Sequence, residues 1–168
     1  MQIERQQQNI VVQIAKNFKE IDICLSSLEK LVKTVCKRFK LSRTTVSVAL
    51  LGDNEIRELN KRYLNRDYAT DCLSFDLSNG RGSKTQKSEF GNLDECAKSF
   101  EVVVNAEMAV REAALRGHSS EAELALYITH GLLHNLGFDD SAPDQAKKMR
   151  DTEHEILQQF GYDLTDGS

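Results

Sequence analysis

The chain has 168 residues, 40% hydrophobic and 29% charged, with one proline, a make-up that suits a single globular domain with a real core. No run approaches the ~18–20 continuous apolar residues that span a bilayer, and the opening "MQIERQQQNI" lacks the apolar segment of a secretory signal. The net charge of −4 does not advertise nucleic-acid binding, and Cys24, Cys36, Cys72 and Cys96 are spaced for neither a zinc cage nor a disulfide scaffold, so a reduced, cytoplasmic protein without a membrane partner is expected.

In chain order, "NIVVQI" at 9–14 predicts an opening strand. Leu25, Leu28, Leu31, Val32, Val35 and Phe39 then recur at spacings of three and four, which predicts an amphipathic helix. Lys30, Lys33, Lys37, Arg38, Lys40 and Arg43 make a basic run with no acid in it. Such a run either tracks a phosphate backbone or is a solvated helix face. "TVSVALL" at 45–51 alternates as a strand does, and Asp53 is placed as the N-cap of a short helix with Ile56, Leu59 and Tyr63 facing the core.

"DCLSFDL" at 71–77 predicts a further strand, followed by a polar loop at about 78–99 that is expected to be flexible or functional. "FEVVV" at 100–104 reads as a buried strand ending at Asn105, an N-cap for a helix from about Ala106 to Arg116 that Gly117 stops. Ser120 and Glu123 form a capping box for the next helix, which runs to Gly137. A last helix from near Pro143 packs Met149, Ile156, Leu157 and Phe160. There is no internal repeat and no dividing linker. The expected fold class is α+β: one domain over 1–168, a small mixed sheet of about four strands covered by helices, with a metal site at the end of a central helix.

That site is suggested by "THGLLHNLGFDD" at 129–140. Residues i and i+4 of a helix lie one above the other, so His130 and His134 are able to present nitrogens to one point. Packing accounts for such a pair as well as a metal does. The glycine stop with two carboxylates beyond it favours the metal, since Asp139 or Asp140 would complete a three-ligand site that leaves a position for water. The metalloprotease form H-E-x-x-H needs a glutamate after the first histidine, and Gly131 stands there.

The string from His130 to Asp139 resembles the signature H-G-x-L-H-x-x-G-[YF]-D-H of the YbeY-type endoribonucleases, metal-dependent enzymes linked to ribosomal RNA maturation. "LNKRYLNRDYATDCLSFDL" at 59–77 is similar to that family's L-N-x-x-Y-R-x-K-D-x-P-T-D-V-L-S-F-P, and "FEVVVNAEMAVREA" at 100–113 to its G-D-I-V-I-x-x-E-x-A-x-R-E-A. Three blocks in the family's order make the likeness specific. The departures are Asp140 where the family has its third histidine ligand, Leu64 where it has an arginine thought to act on phosphate, Ala69 for a proline and Phe100-Glu101 for Gly-Asp. Two histidines and a carboxylate remain a workable zinc set. A phosphate fork is lost at Leu64, and Arg66 is the candidate replacement.

The resemblance implies a metal-dependent endoribonuclease, a hydrolase of phosphodiester bonds in single-stranded RNA, with ribosomal RNA and the ribosome as partners. His130, His134 and Asp140 would hold one divalent metal per chain, zinc by preference, which activates water and polarises a phosphoryl oxygen. His130, His134 and Arg66 are the candidate catalytic residues, Arg66 with Lys61 neutralising charge on the phosphate. Asp139 is expected to orient a ligating imidazole or to cap the helix turn, Thr70, Asp71 and Ser74 align with the second block, and His118 and His154 fall outside the site. With Leu64 and Asp140 in place, activity is expected to be reduced or altered. Two rivals stand: a member of the fold that binds RNA or the ribosome with weakened catalysis, and a zinc-dependent peptidase or amide hydrolase.

Overall fold

The structure is a computed structural model that describes residues 9–78 and 97–164, so the centre of the expected loop at 78–99, with Cys96, lies outside the described residues. Strands β1 (Asn9–Lys16), β2 (Arg43–Leu51), β3 (Cys72–Asp76) and β4 (Ala97–Asn105) form one sheet in the order β1-β2-β4-β3. β1, β2 and β4 pair in parallel, and β3 runs antiparallel on the outer edge of β4. This is the mixed four-strand sheet the alternating apolar runs predict, although β4 begins three residues sooner than "FEVVV" suggests.

Parallel neighbours need crossover connections, and helix α1 (Leu25–Arg38) supplies the one between β1 and β2. Its Leu28, Leu31, Val32 and Val35 are buried in one core with Val46, Val48 and Leu50 of β2, each such side chain contributing about 1.5–3 kcal/mol of burial. Helices α4 (Ser120–Asn135) and α5 (Pro143–Gln159) add Leu124, Ile128, Leu132, Met149, Ile156 and Leu157 to the same core. The opposite face is smaller: Ile56 of α2 (Asp53–Leu64) packs there with Leu51, Leu73 and Val103.

The ends of the elements differ from expectation where a distant partner decides them. Leu25 opens α1 exposed, and Phe39 falls just past its end, where its ring meets Phe138 at 5.7 Å. Tyr63 is exposed and rests edge-on against Phe75 instead of entering the core. Gly52, not Asp53, is the N-cap of α2, and the Asp53 amide donates to the Glu107 carboxylate at 2.8 Å. A Cβ on Gly52 would sit 2.9 Å from that oxygen, so glycine leaves the carboxylate room to act as the cap. Asn105 does cap α3 (Ala106–Arg116), accepting from the Met108 amide at 2.9 Å, and Gly117 ends it in the left-handed region. The box of Ser120 and Glu123 does not form. Ser119 caps α4, and Glu123 is buried, receiving Arg116 and His118.

Candidate metal centre

Helix α4 is buried around most of its circumference and lies on β3 and β4. Gly131 sets that approach, because a Cβ there would be 2.7 Å from Val102 Cγ1 and 3.7 Å from Cys72 Sγ. The position at which a metalloprotease carries its glutamate therefore faces the sheet, and a glutamate would be driven into Val102. The peptidase reading loses its base for a steric reason.

The helix ends in a Schellman turn: the Gly137 amide donates to the His134 carbonyl and the Phe138 amide to the Leu133 carbonyl, each at 3.0 Å. Gly137 takes φ 96°, which a side chain would resist, and sends the chain back over the histidines. Asp140 arrives beside them. His130 Nε2 and His134 Nε2 are 3.1 Å apart, and Asp140 Oδ2 is 3.7 Å from each.

The other ring nitrogens are occupied. His130 Nδ1–H donates to Glu153 Oε1 at 2.6 Å, and His134 Nδ1–H donates to the Phe138 carbonyl at 3.1 Å. With a proton on each Nδ1 and both rings neutral, the two Nε2 lone pairs face one another, an arrangement that repels unless a proton or a metal cation stands between them. A triangle with the three observed sides has a point about 2.0 Å from every corner, the bond length zinc takes with imidazole nitrogen and carboxylate oxygen. The donor set therefore fits a divalent metal. Burial pulls the His130 pKa down, but the hydrogen bond and charge of Glu153, with Asp71 and Asp140 near, raise it overall. The field at this place favours positive charge.

Beside His130 lies a cavity of about 280 Å³, lined also by Asp71, Glu112, Arg116, Tyr127 and Glu153. Asp71, Cys72 and His130 offer ligand atoms within 4.8 Å of one another, as His130, His134 and Asp140 do. Burial, then the charges of Asp71 and Glu153, push the Cys72 thiol well above its usual range.

The model of the family described as Endoribonuclease YbeY matches residues 5–161. The chain belongs to the YbeY endoribonuclease family. The Endoribonuclease YbeY of Caldicellulosiruptor bescii is 32% identical over 154 residues, covering 90% of this chain and 97% of that protein. Those of Halalkalibacterium halodurans and Aquifex aeolicus are 34% and 32% identical, covering 80% and 92% of this chain and 84% and 93% of theirs. A solution structure of a Thermotoga maritima protein superposes with a TM-score of 0.55 at 21% identity, over 94% of this chain and 99% of that one, which supports the fold.

For this YbeY-family chain the structure brings His130, His134 and Asp140 together and leaves other expected groups apart. Arg66 is exposed in the segment between α2 and β3, its amide donating to the Asn60 carbonyl, and no hydrogen bond joins it to those three residues. Lys61 is 4.0 Å from Asp67, and Leu64 is exposed at the end of α2. Asp139 does not orient an imidazole: its carboxylate accepts from the amide and hydroxyl of Ser141, while Glu153 and the Phe138 carbonyl hold the rings. His118 is engaged by Glu123. In the basic run, Lys33 pairs with Glu29 and Arg38 with Glu155, so part of it serves the fold.

Sequence patterning alone does not single out Glu153, yet the residue leaves a mark there. It lies on the stripe of Met149, Ile156 and Leu157, where a carboxylate has no reason to be unless something polar meets it. Cys72 leaves no such mark, because only the pairing of β3 beneath α4 brings it to His130.

Proposed function

We propose that the chain is a metal-dependent endoribonuclease that hydrolyses phosphodiester bonds in single-stranded RNA, with ribosomal RNA as its substrate class. The observation that carries this reading is the convergence of His130 Nε2, His134 Nε2 and Asp140 Oδ2, with both Nδ1 protons already engaged. His130, His134 and Asp140 hold the ion, zinc by its donor set and one per chain. When bound, it supplies a Lewis acid that acidifies water and draws charge from a phosphoryl oxygen.

The chain's own residues do the rest. Glu153 and the Phe138 carbonyl keep the imidazoles in the tautomer that leaves Nε2 unprotonated. Asp140 is half exposed, so the third donor stands at the open side where a phosphodiester approaches. Arg66 is the candidate that neutralises charge on the reacting phosphate, from the segment that leads into Asp71 and β3. The family name of the relatives supports the substrate class, and a ribosomal partner and a cytoplasmic location belong to the same reading. No helix among the described residues is long and apolar enough to cross a membrane.

The test is cleavage of an unstructured RNA by the wild-type chain, by His134→Ala and by Asp140→Ala, each with and without chelator. Cleavage that is lost on chelation, returns with zinc and is absent from His134→Ala is expected. Equal cleavage in every sample would trace the activity to a contaminant, and none in the zinc-loaded wild type would leave an RNA-binding role.

A further inference from the structure

His130 belongs to two sets of ligand atoms. One is the set with His134 and Asp140; the other joins it to Cys72, the first residue of β3, and to Asp71 just before it. The second set contains a thiol, that of Cys72, which lies against the Gly131 turn of α4. A thiolate with an imidazole and a carboxylate is a donor set for a soft or borderline divalent cation. The surroundings suit one, since Glu153 and Asp140 put further negative charge within reach of Cys72.

The two sets cannot both use His130. Its Nδ1 is held by Glu153, which leaves one nitrogen lone pair, and one lone pair binds one cation. We propose that Asp71, Cys72 and His130 form a second cation site, for a thiophilic divalent ion such as cadmium or surplus zinc, whose filling takes His130 from the first site. The ion replaces the thiol proton, which leaves to solvent. Filling the site therefore empties or weakens the first, and an excess of such metal acts as a brake on whatever chemistry the first site performs.

A brake on RNA cleavage in particular rests on the endoribonuclease reading, but the competition for His130 does not. The full chain carrying Cys24→Ala, to remove an exposed thiol, is loaded with cobalt and titrated with cadmium chloride. Absorbance reports the cadmium–thiolate charge-transfer band, and equilibrium dialysis reports the cobalt released. The expected result is a thiolate band that saturates at about one cadmium per chain, with cobalt leaving in step, and that disappears in Cys72→Ala. Asp140→Ala, which disables only the first set, keeps the band. A thermal melt of each variant confirms that it is folded, and Cys72→Val serves as a second replacement of similar bulk. A band that survives both replacements, the absence of any band in the parent, or cadmium binding without loss of cobalt would overturn the proposal. No RNA enters the measurement, so its failure leaves the cleavage reading standing. A chain that binds cadmium and releases cobalt as expected, yet never cuts RNA, keeps the second site and loses the cleavage reading.

Discussion

Glu153 is 5% exposed on a helix whose other inward residues are Met149, Ile156 and Leu157. A carboxylate so placed costs several kcal/mol unless it is hydrogen-bonded, and its partner is the Nδ1–H of His130. Removing the charge while keeping the shape isolates that role. Glu153→Gln is expected to weaken zinc binding about 10–100-fold, the usual effect of losing a group that orients a ligating histidine, with little change in the fold. Competition against a chromophoric chelator measures it, and an affinity equal to wild type would strip Glu153 of the role. At this scale the sequence is legible over short distances. His130, His134 and Asp140 lie within one helix and its turn, so local spacing brings them together. Asp71, Cys72 and Glu153 come from a strand and a helix far along the chain, and nothing local links them to His130. Arg66 remains a candidate by likeness, since no hydrogen bond or ion pair among the described residues ties it to the triad.

The helix that carries the histidines depends on how closely it can lie on the sheet. Alanine at residue 131 improves helix propensity by about 1 kcal/mol, yet its Cβ would meet Val102 Cγ1 at 2.7 Å. Valine is stiff about χ1 and does not swing aside, so the crowding, about 1–3 kcal/mol for an overpacked core, exceeds the gain. Gly131→Ala is therefore expected to lower the urea midpoint. Val102→Ala should relieve it, so the double variant costs less than the two single changes added. Strict additivity in that cycle would remove the contact as the cause. Elements of this kind are legible because they repeat: α1 at three and four, β2 at two, and Gly117 and Gly137 as stops. Their caps are not. Asp53, Ser120 and Glu123 have the chemistry of caps, but Glu107 reaches the α2 terminus from another helix and Glu123 turns inward to Arg116 and His118.

Across the whole molecule, α2 covers the small face of the sheet, and its first residue is tied to elements that also support the large one. Asp53 accepts from Asn105 Nδ2 at 2.8 Å and from Arg111 Nη1 at 2.7 Å, joining α2 to the end of β4 and to α3. The Arg111 hydrogen bond holds the Asp53 carboxyl below its ordinary range; burial opposes this, and Asn105 assists. A carboxyl depressed in the folded state binds its proton more readily when unfolded. Its stabilisation is then fully present above the ordinary carboxylate range, near pH 4, and is lost as pH falls through the lower folded value. Arg111 is half exposed and Asp53 partly so, which screens the pair and keeps the effect small, about 1 kcal/mol at most. Asp53→Asn should accordingly unfold at lower urea than wild type at pH 7, with the gap closing as pH falls below the ordinary carboxylate range. The comparison cancels the carboxylates common to both proteins, which leaves Asp53 as the source of the difference. A gap that widened in acid would mean the charge destabilises this junction, and α2 would then owe its place to Ile56 and the apolar contacts beneath it alone.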